Sequence, residues 1–295
     1  MKQIVCYGEV LWDMFPTGKK LGGAPLNVAL RAQSLGNKAC VISSIGSDKI
    51  GNEILAEIKS FSSSVEHIQI SKHFSTSEVL VKLDKSGSAS YEIKMPCAWD
   101  DIQLLDQDIE TVKASDAFIY GSLIARSKTS RDTLLALLEK AKFKVFDVNL
   151  RAPHYTQETI SKLMKVADFI KFNDDEIVEI CANMGFSDEK LEACIEFIAA
   201  KTNTKQVCVT LGGDGAVFFS NNQFVYSKGF KVKVADTVGA GDSFLATLIN
   251  KLLQDVDPQK AITYACAVGA IVASKSGANA DIPAHEIEDL INQLN

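Results

Sequence analysis

The stretch ADTVGAGDSFLATLINKLL, from Ala235, runs from a strand-like KVKVA through a Gly-Ala-Gly turn into an amphipathic helix beginning near Asp242. Glycines at 239 and 241 let backbone N–H groups approach a ligand closely, and a helix N-terminus adds the positive end of its dipole. Such a turn suits a transferring phosphoryl group and the negative charge that develops on it. The carboxylate beside this anion site, Asp242, has two readings. It is a helix cap, as aspartates at helix starts commonly are, or a general base that takes the proton of an attacking hydroxyl. The chain carries no GxxxxGK[ST], no GxGxxG after its first strand, no HExxH, no GxSxG and no Cys/His cluster. Walker-loop, dinucleotide, zinc and nucleophile-elbow chemistries therefore lack their residues.

A second segment, GEVLWDMFPTGKKLGGAPLNVALRAQSLG, starts at Gly8. Asp13 follows the first strand, at the edge where α/β sheets bind ligands. Gly22 and Gly23 precede a helix opened by Pro25, with Asn27 in its first turn. A carboxylate, two accessible backbone positions and an amide form a hydroxyl-binding set, although GGAP alone is simply a turn into a helix. Three more clusters end predicted strands: Asp147, Asn149 and Arg151 in FDVNLR; Asn173 to Glu176 in FNDDE; Thr210, Gly212, Gly213 and Gly215 in TLGGDGA. Each alone reads as a cap or turn. Five such clusters at the strand ends of one sheet would converge on one crevice.

The elements that must position them are short apolar runs alternating with amphipathic stretches. The predicted strands start at Gln3, Cys40, Ala117, Lys144, Asp168 and Lys205, and helices fall on LNVALRAQSLG, NEILAEIKSF, DTLLALLEKA and LEACIEFIAA. Pro25 and Pro283 suit first-turn positions, and Gly36 suits a C-cap. This alternation predicts an α/β fold with a mainly parallel sheet covered on both faces. EVLVKLDKSGSASYEIK alternates with period two about DKSGS and predicts an exposed hairpin; AVFFSNNQFVYS predicts another about Asn221 and Asn222. No Pro/Gly/Ser-rich linker divides the 295 residues. One large domain, residues 1–295, with a small lid from about 9–24 and 68–100 is expected.

A net charge of −6 leaves no cationic excess for nucleic acid. Seven cysteines, an odd count without CxxC, read as reduced buried thiols. The start MKQIVCYGEVLWD has no signal-like apolar region, and AITYACAVGAIVAS is too short to span a bilayer. A cytoplasmic protein with no membrane partner is expected.

On these motifs nearly the whole chain resembles the ribokinase-like sugar kinases of the PfkB family, and within them the fructokinases. GGAPLNVA looks like the family's first signature and DTVGAGDSF like its second; NDDE fits Asn-x-x-Glu, and GEVLWDMFP and FDVNLR look like fructokinases and ketodeoxygluconate kinases. The resemblance implies a three-layer sandwich with a small β-sheet lid. It implies phosphorylation of a primary hydroxyl of a monosaccharide by magnesium-ATP, with D-fructose first. Ketodeoxygluconate, ribose or a nucleoside are alternatives, as is a non-catalytic sugar- or nucleotide-binding regulator. Asp242 would be the base, and Gly239, Ala240 and Gly241 the anion hole. Asp13, Gly22, Gly23, Asn27 and Arg151 would bind sugar. Asn173, Thr210, Gly212 and Gly213 would border the nucleotide, and Glu176 would organise magnesium through water. A potassium-like cation would sit near Asp236, Val238, Lys275, Gly277 and Asp281, mostly on main-chain atoms. Relatives often pair their lids, which implies a homodimer. Trp99 would either close on the sugar or pack at the lid base.

Overall fold

The computed structural model describes residues 1–15, 18–83, 89–188 and 190–293. Apolar runs and amphipathic segments alternate through the first half as β1 (Gln3–Tyr7), β2 (Leu11–Phe15), β3 (Gly18–Gly22), α1 (Ala24–Ser34), β4 (Lys38–Gly46), α2 (Lys49–Ser60), β5 (Ile68–Ser71), β6 (Ser77–Leu83), β7 (Ala89–Ile93), α3 (Asp106–Ala114), β8 (Ala117–Gly121) and α4 (Lys128–Leu138). The second half continues as β9 (Lys144–Asp147), α5 (Gln157–Val166), β10 (Phe169–Asn173), α6 (Asp174–Asn183), α7 (Leu191–Thr202), β11 (Gln206–Thr210), β12 (Gly215–Ser220), β13 (Gln223–Lys228), α8 (Ala240–Leu253), α9 (Pro258–Ala273) and α10 (Ala284–Asn292).

Nine strands form one sheet in the order β13-β12-β11-β10-β9-β8-β1-β4-β5. Every pair from β5 to β11 is parallel, and the β11–β12–β13 edge is antiparallel. Alternate side chains feed two apolar cores. Ile4, Ile119, Phe169 and Phe218 pack beneath α1, α8 and α9. Val5, Phe118, Phe146 and Phe172 pack against the face covered by α4, α5, α6 and α7. The result is the expected α/β sandwich, helices on both faces of a mainly parallel sheet. β1 lies between β4 and β8, so the strand order reverses around it, and the crevice outside the strand C-termini opens there.

Four strands form a separate sheet, β3-β2-β6-β7. β6 and β7 pair antiparallel as the hairpin pattern predicted, while the DKSGS turn lies outside the described residues. Asp13 sits inside β2, paired with Lys20 on one side and Val79 on the other. Two local expectations are corrected. KVKVA, at 231–235, forms no strand; it is a loop whose Val234 is 60% exposed, tied down where Ala235 and Asp236 donate to the Ala273 carbonyl. Pro283 is the N-cap of α10 rather than a first-turn residue. All seven cysteines are free, and no helix among the described residues is long and apolar enough to cross a membrane.

Candidate active site

The Gly-Ala-Gly turn becomes the mouth of α8. Gly239 is its N-cap with φ 77, a left-handed conformation, and a β-carbon there would lie 2.2 Å from Ala278 Cβ. A residue with a side chain is therefore excluded at 239 on two grounds. Ala240, Gly241 and Asp242 are the first three residues of the helix, whose leading amides have no intrahelical acceptor. Asp242 does not cap this helix. Its Oδ2 accepts the Asn27 Nδ2 hydrogen at 2.8 Å, across 215 positions of sequence. Asn27, buried in α1, is oriented from its other end by Asn279 Nδ2, 3.1 Å from Asn27 Oδ1.

A cavity of about 290 Å³ opens beside Asp242. The two sheets and the helix starts supply its polar lining, including Asp13, Asn27, Asn149, Arg151 and Asn173. Gly23 also lines it, with φ 109 and room only for hydrogen, since a β-carbon would lie 2.2 Å from the Glu9 carbonyl. Gly22 stays behind the wall; its missing side chain makes space for Asp13, whose Oδ2 would meet a β-carbon at 2.2 Å. Asn149 holds φ 37 two residues past the end of β9, a left-handed turn that asparagine tolerates.

Burial and mutual repulsion raise the carboxyls of this cavity. Burial, then the Asp147 charge, pushes Asp242 up to about 6 against the Asn27 hydrogen bond and the cations Lys171 and Arg151. Burial, then Asp242, pushes Asp13 up to about 6. Burial pushes Glu9 up to about 7. Glu9 also lines the cavity, and its Oε2 is buried without a hydrogen-bond partner among the described residues. Raised carboxyls next to a concave polar surface mark a site where protons can move near neutrality.

A second cavity, of about 460 Å³, lies on the other side of the α8 mouth. Its walls are mainly apolar, with Phe230, Phe244, Ala270 and Ala273 facing Gly212 and Gly213. Thr210, Thr237 and Gly241 line both cavities, so the two meet at the first turn of α8.

Glu176 lines neither cavity. It closes a capping box with Asn173: Asn173 Oδ1 accepts the Glu176 N–H at 2.8 Å, and Glu176 Oε2 accepts the Asn173 N–H at 2.9 Å. Its Oε1 takes the Leu150 N–H at 2.8 Å, and burial raises its carboxyl against the pull of Lys171. No group of three or more His, Cys, Asp or Glu among the described residues could hold a metal. Both Glu176 oxygens are thus taken by main-chain amides, so a divalent ion at this site would have to be carried by a ligand's phosphates.

The five residues expected beside a monovalent cation differ in how their oxygens are engaged. The carbonyls of Asp236, Val238, Lys275 and Gly277 accept no hydrogen bond among the described residues. The Asp281 carbonyl, in contrast, already accepts Lys275 Nζ at 2.8 Å. The Asp236 carboxylate is engaged by Lys20 Nζ at 2.7 Å, by the Val238 N–H and by the Gly277 N–H. Trp99 is fully buried beneath the Arg126 guanidinium, 3.9 Å from its ring, and lines no part of the cavity; it packs rather than closes.

Two cavity residues escape a reading of motifs. Glu9 stood in plain view within GEVLWD, and Lys171 within FIKFN. A lysine in an otherwise apolar strand run is the signal that would have found the second, because strand lysines are rarely buried without a partner.

Residues 1–285 match the model of the pfkB family carbohydrate kinases. Fructokinase-2 of Solanum lycopersicum is 28% identical over 95% of this chain and 93% of its own. The structure of a Xylella fastidiosa fructokinase with bound ATP superposes with a TM-score of 0.85 at 21% identity, covering 99% of this chain and 98% of that one. A 2-dehydro-3-deoxygluconokinase of Thermotoga maritima gives 0.86 at 21%, covering 99% and 100%. The large mainly parallel sheet with its separate small sheet is the ribokinase-like fold. The chain belongs to the pfkB family and is an ATP-dependent carbohydrate kinase.

Proposed function

We propose that this kinase transfers the γ-phosphoryl group of ATP to a primary hydroxyl of D-fructose. The observation that carries the reading is the meeting of a polar and an apolar cavity at Gly241, with Asp242 on the polar side. Adenosine would occupy the apolar cavity beside Thr210, Gly212 and Gly213, with its phosphates directed at the turn amides of Gly239 and Gly241; the Ala240 N–H between them already donates to the Thr237 carbonyl at 3.3 Å. The sugar would lie against Asp13, Asn27, Arg151 and the Gly23 backbone, with Gly22 behind the wall making room for Asp13. Its hydroxyl oxygen attacks the γ-phosphorus while Asp242 takes the hydroxyl proton, and ADP leaves. Asn27 holds Asp242 in place for that transfer. Magnesium supplies charge neutralisation on the phosphates; Glu176 and Asn173 would hold its water shell.

The four-stranded sheet is proposed to be a lid over the sugar and the pairing surface of a homodimer; a monomer in solution scattering at micromolar concentration would remove the second role. Seven free cysteines suit a reducing cytoplasm. A second sugar class belongs in the same assay. Arg151 and Lys171 bring two cations to the cavity, a feature that suits a sugar acid such as ketodeoxygluconate. ADP release from magnesium-ATP is to be measured with fructose, ketodeoxygluconate, ribose and adenosine. Fructose is expected to give the highest kcat/KM; release with none of them would overturn the reading.

A further inference from the structure

Lys20 lies in β3, and the antiparallel register pairs it directly with Asp13 of β2. Cross-strand partners point to the same side of a sheet. Asp13 enters the polar cavity, while Lys20 crosses from the small sheet to the loop that leads into α8. Its Nζ donates to Asp236 Oδ2 at 2.7 Å and to Ser276 Oγ at 3.2 Å. The same ammonium stands 5.1 Å from the centre of the Phe15 ring, and its stem passes 3.9 Å from where a Gly277 β-carbon would sit. The ion pair is sheltered, with side-chain exposures of 33% for Lys20 and 17% for Asp236.

Asp236 is a connector. Its Oδ1 accepts the Val238 N–H at 3.1 Å, and its Oδ2 accepts the Gly277 N–H at 3.2 Å. Val238 precedes Gly239, the N-cap of α8, and Gly277 precedes Ala278, the residue on which Gly239 packs. One carboxylate therefore fixes both the loop entering the anion-hole turn and the turn that supports it. That arrangement has an electrostatic cost. A bare carboxylate this close in sequence to Gly239 would oppose any phosphate held at the Gly239 and Gly241 amides, and a sheltered charge is poorly screened by salt. Something positive has to neutralise it. A dissolved monovalent cation is one solution, and the sequence led us to expect it. The structure shows another: the carboxylate already holds an ammonium, a compact point charge that seeks oxygen ligands and cannot diffuse away.

We propose that Lys20 is the resident counter-ion of the anion-hole loop, a positioning residue that acts through Asp236 and takes the place of a dissolved monovalent cation, so that turnover requires none. No bond is made or broken at Lys20 during the transfer. Because Lys20 belongs to β3, the small sheet sets the charge at the α8 mouth as well as placing Asp13. The inference rests on the phosphate placement proposed above, and the test includes a measurement that needs no turnover.

Wild type and Lys20→Met are compared in potassium chloride and in tetramethylammonium chloride, whose cation is too large for such a site, at one ionic strength of about 0.1 M. Wild-type kcat should agree within about twofold between the two salts, and its thermal midpoint within about 0.5 °C, because a cation that does not bind cannot stabilise. Lys20→Met in tetramethylammonium should lose about tenfold in kcat/KM for ATP, the scale of one uncompensated charge at a partly screened distance. Potassium should restore most of that loss and raise the variant's midpoint by roughly 2 °C. Lys20→Arg, which keeps the charge, should behave as wild type. Lys20→Met/Asp236→Asn, which removes both charges, should recover turnover without potassium.

The proposal is overturned if potassium stimulates wild type severalfold or selectively raises its midpoint, an outcome that needs no variant to fold. It is equally overturned if Lys20→Met keeps full turnover in tetramethylammonium, or if the variant's loss is indifferent to potassium, which would make Lys20 a contact of the small sheet only. If wild type turns over no sugar, the phosphate placement fails, and the salt dependence of the two midpoints still decides whether Lys20 stands in for the cation.

Discussion

The two cavities share one wall and differ in almost everything else. The polar one takes its lining from the small sheet, α1, the β9 and β10 ends and α8, with three raised carboxyls facing two cations. The apolar one is walled by α8, α9 and the loop after β13, with glycines where β11 turns into β12. One holds charge and hydrogen-bonding groups in fixed directions; the other offers shape. The difference teaches where specificity and chemistry should reside. A site built of directed polar groups rejects a ligand lacking a hydroxyl strongly, whereas an apolar slot discriminates weakly among ligands of similar size.

The sharpest break of that comparison is Asp242→Asn. If the polar side performs the chemistry, kcat should fall about 10²–10⁴-fold with both KM values nearly unchanged. Near-wild-type turnover in a steady-state assay would return Asp242 to a structural part. Asp13→Ala tests the same side without touching the base. Losing a hydrogen bond to a charged group costs roughly 1.5–3 kcal/mol, so the sugar KM should rise about 10–100-fold. An equal rise in the ATP KM would show that the two cavities do not divide the ligands.

The carboxyl cluster predicts a pH dependence. Asp242 must be ionised to accept a proton, and it titrates at about 6 together with Asp13. kcat/KM for the sugar should therefore fall as pH drops through about 6, with apparent values that belong to the coupled cluster. A flat profile between pH 5 and 7 would detach these groups from the rate. From the apolar side, Ala270→Leu fills part of the larger cavity. It should raise the ATP KM roughly tenfold and leave the sugar KM alone, since a methylene-scale change in such a pocket is worth about 1–3 kcal/mol.

The smallest expected effect concerns stability. Asp242 is raised in the folded chain above its unfolded value, so the folded state binds the extra proton between the two. Its contribution to stability is complete below about 3.8 and is lost as pH rises through about 6. Asp242→Asn should accordingly raise the thermal midpoint near pH 7.5 by about 2 °C and change little at pH 4. A lower midpoint at pH 7.5 would mean that the Asn27 contact stabilises more than the buried charge costs.

Local chemistry is legible in the order of the residues alone. Gly239 and Gly241 stand next to a helix-forming run, and a glycine turn followed by such a run writes its own anion site into a short stretch of chain. The same locality exposes the Asn173–Glu176 box, the β6–β7 pairing and the Val- and Ile-rich strands. Locality also misleads. KVKVA alternates as a strand should, yet it joins neither sheet, and Val232 and Val234 line the apolar cavity instead.

By itself the sequence determined the element types, the parallel α/β class, the glycine turn and the residue types available at each strand end. These follow from periodicity and turn chemistry, which act over a few residues. Only the tertiary structure decided that Asn27 would hold Asp242, that Gly22 would make room for Asp13, and that Lys171 would face Gly241 rather than solvent. Those contacts depend on strand order, register and which face a helix covers. Such choices are made by burying the whole apolar surface at once, and no local run of residues encodes them.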